Sequence, residues 1–339
     1  MANTARKTQT QSRSGTRIGA GTTPATRGKR APAASRKAPL RATSTARRKP
    51  AAGKPAAGKV TSKRSQPTQY PAGQGLNGPD PKLMEAQSGI WSTLMDRYFR
   101  LDFSGFENLP DEPCLLVGVH SGGPLTMDAW TVIMAWWREF GESRSLHGTA
   151  HDVLMNAPVL GDYFKRVGVV SPSKENIRAA FEQGDDVILW PGGEVDSYRA
   201  WRHRDKAVLG GRKGFIRLAM SAGVPIVPVA TVGGHDTLFV LSEGRGLARA
   251  LKLKERMRSD VAPITLSWPF GVALHLTPFQ HVPLPAKIRT RILEPVYLDN
   301  DPQRLNDQGY VEAMYEKIEG DIQAGMDKLA SARRFPVFG

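Results

Sequence analysis

Cys114-Leu-Leu-Val-Gly-Val-His120-Ser-Gly-Gly-Pro-Leu-Thr-Met-Asp128 changes character twice in a short span. From Cys114 to Val119 every residue is apolar or glycine, without polar alternation, as in a short strand covered on both faces. Two glycines and a proline then turn the chain. Pro124 suits the first turn of a helix, and the helix is expected from about Leu125 to Phe140. Strand, turn and helix recur downstream. Gly168 to Val170 is a second candidate strand, and Ser173 caps a helix carrying Ile177, Ala180 and Phe181 that ends at Gly184. Val187 to Trp190 is a third strand, closed by a turn of Pro191, Gly192 and Gly193. A helix over about 212–222 ends at Gly223, and Pro225 to Val232 is a fourth strand. Such alternation predicts an α/β fold: a single domain with a mostly parallel central sheet flanked by helices. Ligands of open sheets of this kind gather at the carboxyl ends of the strands, where His120 and the Pro-Gly-Gly turn both fall.

Working outward, the composition divides the chain. Its 339 residues carry a net charge of +15. Residues 1–79 hold 17 of the 47 Lys and Arg and none of the 32 Asp and Glu, which leaves the remaining 260 residues close to neutral. That leading segment is rich in Ala, Pro, Gly, Ser and Thr, has no aromatic residue before Tyr70, and repeats KPAAGK at 49–54 and 54–59. It buries too little apolar surface to offset its ordering entropy, so 1–79 is expected to be a disordered basic tail and 80–339 the folded domain. An anionic membrane surface suits such a tail, and nucleic-acid phosphate is the alternative partner. Cys114 is the sole cysteine, so no internal disulfide forms, and a cytoplasmic setting is expected. No run of about 18 apolar residues appears. The most apolar window, Val261 to Phe279, is broken by Pro263, Pro269 and Pro278, and is read either as core or as a segment that shields an acyl chain or dips into a membrane. Ile90, Trp91, Leu94, Met95, Tyr98 and Phe99 form a helical pattern that suits core packing or a membrane interface. Val311, Tyr315, Ile318, Ile322 and Leu329 form a packing stripe on a C-terminal helix.

Two segments carry chemistry. A histidine at a strand end can take the proton of a hydroxyl, and a nearby carboxylate fixes its tautomer and stabilises the imidazolium. His120 and Asp128 are that pair, with Gly122 and Gly123 leaving room for substrates and offering amides to an oxyanion. The second segment, Trp190-Pro-Gly-Gly-Glu-Val-Asp-Ser-Tyr-Arg199, offers Pro191, Gly192 and Gly193 for close ligand approach and Glu194, Ser197 and Arg199 for a polar head. Asp152 and Asp196 are alternative orienters of the histidine. A serine hydrolase with Ser121 as nucleophile is a rival reading, although Val119 stands where an elbow motif has glycine. A non-catalytic lipid-binding protein is another. His147 and His151 lie four apart, but without the glutamate of a zinc helix no metal is expected. His235, His275 and His281 are read as structural.

The order of these blocks resembles the glycerolipid acyltransferases, a superfamily spanning bacterial lysophosphatidate acyltransferases and diacylglycerol acyltransferase relatives. Phe103-Ser-Gly-Phe-Glu-Asn-Leu-Pro110 leads into the strand before His120. DVLMNAPVLGDYFKRVGVV at 152–170 matches the second block, WPGGE at 190–194 takes the place of the third, and VPIVPV at 224–229 matches the fourth. The resemblance covers Asp102 to Val232. It implies transfer of a fatty acyl group from acyl-CoA or acyl carrier protein to a hydroxyl of a lysophospholipid or glycerolipid, without further cofactor, with His120 as general base. It also implies a peripheral position on the inner face of the cell membrane. Two departures stand out. Asp128 follows His120 by eight positions where the family has five, and the third block reads Pro-Gly-Gly-Glu rather than Pro-Glu-Gly-Thr-Arg.

Overall fold

Successive side chains of a strand point to opposite faces, so continuous apolar runs become strands with a packed layer on each side. In the computed structural model, which describes residues 76–339 except 258, 276, 278, 279, 336, 338 and 339, β1 is Asp102–Ser104, β2 Leu115–Val117, β3 Leu146–Gly148, β4 Asp186–Leu189, β5 Ile226–Val232 and β9 Arg289–Ile292. They form one sheet in the order β1-β9-β5-β2-β4-β3. Leu115 lies opposite both Val187 and Ile226 in parallel ladders, β3 is parallel to β4, and only the β5–β9 junction is antiparallel. The expected α/β architecture with its mostly parallel sheet is borne out.

Helices cover both faces. On one face Leu115, Val117, Val187, Ile226 and Ala230 meet helices α5 (Lys174–Gln183), α7 (Gly214–Ala222) and α10 (Gln308–Ser331). Alternate residues Leu116, Ile188, Val227 and Val229 face α2 (Met127–Phe140) through Ala129, Val132 and Trp136. Ser173 caps α5 by accepting from the Asn176 amide, and left-handed Gly184 and Gly223 end α5 and α7. On α10 the buried stripe runs Val311, Tyr315, Ile318, Ile322 and Met326, with Leu329 half-buried at its end. Helix α1 (Pro81–Thr93) begins at Asp80, whose carboxylate accepts from Lys82 and Leu83. It passes into a π-turn at Leu94–Tyr98, so Met95 and Phe99 are buried whereas Ile90, on the expected apolar stripe, is exposed.

Two further expectations change. Gly168–Val170 is a left-handed turn that adds a single bridge, Val170 to Thr149, rather than a strand. The strand beside β4 is β3, which contains His147. The window 261–279 is core only in part: Val261 and Ala262 are buried, whereas β7 (Ile264–Ser267) and β8 (Gly271–Leu274) make a hairpin that joins β6 (Phe239–Ser242) in a separate antiparallel sheet and exposes Leu266 and Val272. The basic tail read at 1–79 lies outside the described residues except for 76–79, of which Leu76 packs on the core and Pro79 lies against Gly168. Among the described residues no helix is long and apolar enough to cross a membrane.

Candidate active site

Beyond β2 the chain runs Gly118-Val119-His120, so the imidazole stands at the carboxyl end of a central strand. Gly118 has a local reason: a Cβ there would lie 3.1 Å from the Trp190 indole nitrogen. Trp190, at the end of β4, stacks flat on His120, ring centroids 4.8 Å apart and planes within 6°. The turn that follows solves the spacing of the carboxylate. Gly122 and Gly123 take left-handed conformations with φ of 80° and 70°, residues 123–125 make a 3₁₀ turn, and Thr126 at φ 39° starts α2. This fold-back returns Asp128 to the histidine across eight positions. His120 Nδ1 and Asp128 Oδ2 are 3.3 Å apart, and Asp128 Oδ1 accepts from the Ser121 amide at 3.1 Å. The side chain of Asp128 is 1% exposed and that of His120 16%. A carboxylate only accepts, so Nδ1 carries the hydrogen and Nε2 keeps its lone pair. Asp128 also sits in the first turn of α2, where the helix field favours negative charge. An imidazole held in this way can take a proton from a substrate hydroxyl.

A second carboxylate holds the backbone of the same residue. Asp196 Oδ2 accepts the His120 amide at 2.5 Å, and Oδ1 pairs with Arg199 Nη1 at 2.6 Å. Complete burial pushes the Asp196 carboxyl up to about 7, against the lowering effects of Arg199 and His120. Burial also lowers the Arg199 guanidinium, offset in part by Asp196. Asp196 therefore clamps the strand end rather than orienting the ring, and Asp152 lies exposed at the start of a short helix, Asp152–Met155.

Of the residues assigned to an acceptor head, two are placed elsewhere. Arg199 is 3% exposed and committed to Asp196 and the Arg204 carbonyl. Ser197 is buried, donating to the Glu194 carbonyl at 3.3 Å. Ser197 ends helix α6 (Gly193–Ser197), which faces inward there, and Arg199 lies two residues beyond it. Glu194 stays half-exposed, 3.7 Å from Arg212, which also donates to the Pro191 carbonyl. Pro191, Gly192 and Gly193 cross tightly under this arginine: a Cβ on Gly192 would lie 2.2 Å from the Val208 carbonyl, and one on Gly193 2.5 Å from Arg212 Nη1.

Residues remote in sequence complete the surroundings. The Gly233–Thr237 turn packs against the loop that follows β2, so that a Cβ on Gly234 would fall 1.9 Å from Ser121 Oγ. Ser121 is buried there, its hydroxyl without a hydrogen-bond partner among the described residues. His281 faces the Gly122 backbone without reaching hydrogen-bond geometry; burial, helped by neighbouring His275, pushes it down to about 4 and keeps it neutral. His275 lies 5.0 Å from His281 and 5.7 Å from the Tyr198 ring. Burial, then the charge of Arg199, holds His235 well below the usual imidazole range. These three histidines are buried as expected, yet sequence gave no sign that they gather round one loop. His147 is fully buried with both ring nitrogens engaged, by the Gly168 carbonyl and Asp185. A cavity of about 470 Å³ between α1 and α2, lined by Met84, Trp91, Met95 and Trp137, shares no residue with this site.

The sequence pattern described as diacylglycerol acyltransferase matches residues 84–315, well over half of the chain and all of the site described above. The chain belongs to the diacylglycerol acyltransferase family. The resemblance to glycerolipid acyltransferases is thereby borne out. An uncharacterized protein of Mycobacterium leprae is 26% identical over 243 residues, which cover 71% of this chain and 63% of that relative. A chicken relative named as a DGAT1/2-independent enzyme synthesizing storage lipids is 27% identical over 199 residues, 58% of this chain and 52% of its own. The chain thus spans less than two thirds of the length of these curated relatives. The crystal structure of the 1-acyl-sn-glycerophosphate acyltransferase of Thermotoga maritima superposes with a TM-score of 0.44 at 18% identity, covering 74% of this chain and 83% of that one.

Proposed function

We propose that the protein moves a fatty acyl group from a thioester, acyl-CoA or acyl carrier protein, to the free hydroxyl of a neutral glyceride, with His120 as general base. The observation that carries this reading is the His120–Asp128 pair at a strand end, with Asp128 buried and Nε2 left free, in a chain of this family. Nε2 takes the hydroxyl proton as the oxygen attacks the thioester carbonyl, and Asp128 stabilises the imidazolium. The Gly122 amide, beside the imidazole, is assigned to the developing oxyanion. Collapse of the tetrahedral intermediate forms the ester, breaks the carbon–sulfur bond and returns the proton from Nε2 to the leaving thiolate.

The cations favour a neutral acceptor. Arg199 is buried against Asp196, and Arg212 is shared between Glu194 and the Pro191 carbonyl, so among the described residues neither guanidinium of the Pro-Gly-Gly region is without a partner. The acceptor comes from a lipid phase on the cytoplasmic face of the membrane, to whose anionic headgroups the basic segment 1–79 is attracted. Labelled acyl-CoA supplied with monoacylglycerol, diacylglycerol or lysophosphatidate tests the proposal. Incorporation into the neutral glycerides should exceed that into lysophosphatidate. No ester formed with any of the three removes it.

A further inference from the structure

The β7–β8 hairpin has two unlike sides. Leu266 lies opposite Val272 in its ladder, and Thr265 opposite Ala273. Thr265 and Ser267 are buried inward with His275, which packs toward Tyr198 and His281 beside the Gly122 turn. The opposite side is bare apolar surface. Val272 is 65% exposed, and at the hairpin tip Trp268 is 63% and Phe270 58% exposed. Helices α8 (Arg245–Ala250) and α9 (Leu253–Met257) shield the far end, with Ala248 and Leu253 packed on Ala262 and Leu274. The helical segment in turn leaves Leu247 and Leu251 exposed. Of the twelve large apolar side chains exposed among the described residues, eight fall between Leu241 and Val282, so the exposure is one concentrated feature and not scatter.

Charge identifies the occupant. Between Leu241 and Pro269 the sequence has six Lys and Arg against three Asp and Glu. Arg249 and Lys252 are exposed beside Leu247 and Leu251, and make no ion pair among the described residues. An indole at a tip, aliphatic side chains beside it and exposed cations at the rim match the layering of a bilayer. Leu, Val and Phe enter the acyl boundary, Trp sits at the headgroups, and Lys and Arg meet lipid phosphate. We infer that the outer face of the β6–β7–β8 sheet, with its Trp268–Phe270 tip and the α8 rim, is the foot by which the folded body stands on a lipid bilayer. The inner side of the same hairpin borders the Gly122 turn through His275 and His281, so docking here leaves one sheet between the bilayer surface and the loop that carries His120. The contact itself does not depend on the acyl-transfer reading, because it is measured without turnover.

The test is flotation of the full chain with lipid vesicles. Phosphatidylcholine vesicles at about 0.5 M salt screen the contribution of the basic segment 1–79 and isolate the apolar contact. The double variant Trp268→Ser, Phe270→Ser should lower partitioning on the order of tenfold or more, since two large apolar side chains no longer enter the bilayer. Its unfolding temperature should match that of the wild type, because neither side chain is packed in the fold. Arg249→Ala with Lys252→Ala should weaken binding to phosphatidylglycerol vesicles at low salt and leave the high-salt result unchanged. Equal partitioning of wild type and the aromatic double variant, or no wild-type binding to neutral vesicles, overturns the inference. So does sedimentation showing that the aromatic variant loses self-association and nothing else, which would make a second copy the occupant.

Discussion

Asp196 is wholly buried between the His120 amide and Arg199, with His120 and Asp128 as its other charged neighbours, and its carboxyl is pushed up from 3.8 to about 7 chiefly by burial. The folded chain therefore holds this proton more tightly than the unfolded chain does. Between pH 4 and 7 the native state binds more protons, so the contribution of this group to stability is fully present at the acid end. It declines as pH rises toward 7 and is flat above. Asp196→Asn removes the titration and keeps the shape. Urea unfolding of both proteins across that window should show the wild type losing stability relative to the variant as pH rises, by at most about 4 kcal/mol. A constant gap from pH 4.5 to 7.5 would mean that Asp196 is ionised throughout and that Arg199 outweighs burial.

The turn between β2 and α2 determines whether Asp128 reaches His120, and Gly122 is closely packed within it. A Cβ there would meet Thr237 Oγ1 at 2.6 Å and the Gly234 carbonyl at 2.9 Å, on a backbone with φ of 80°. Gly122→Ala should lower stability by about 2–3 kcal/mol, from left-handed strain and the displaced neighbour. Because the strained turn itself brings Asp128 back to His120, acyl transfer should fall further than the folded fraction does; the comparison is of turnover below the variant's own melting temperature. Elements were legible where burial wrote a periodicity. β2, β4 and β5, buried on both faces, read as apolar runs, and α5, α7 and α10 carried caps or stripes. β9, Arg289-Thr-Arg-Ile, hides because two arginines and a threonine leave it one apolar residue beside β5. β3 hides because its three residues include His147 and Gly148. Gly168–Val170 misled because its apolar valines pack without pairing along a strand.

At the scale of the molecule, the pair at the heart of the site was readable because both residues lie in one strand–turn–helix unit. Its surroundings were not. Trp190 and Asp196 share one segment, Gly234 and His281 come from two others, and only the sheet order brings the three to the end of β2. Ser197 and Arg199 look like ligand contacts in a polar turn, and pairing with Asp196 instead draws Arg199 inside. The family supplies the type of reaction, and the geometry divides the labour between adjacent residues: His120 with a free nitrogen, Ser121 with a buried hydroxyl. The most direct measurement is the initial rate of acyl transfer to a glyceride by His120→Ala and by Ser121→Ala, each checked to be folded. Loss of the base should cut the rate on the order of a hundredfold or more, and loss of the hydroxyl should change it by no more than about threefold. A Ser121→Ala protein that is inactive, or a His120→Ala protein near the wild-type rate, would contradict the assignment of His120 as the base.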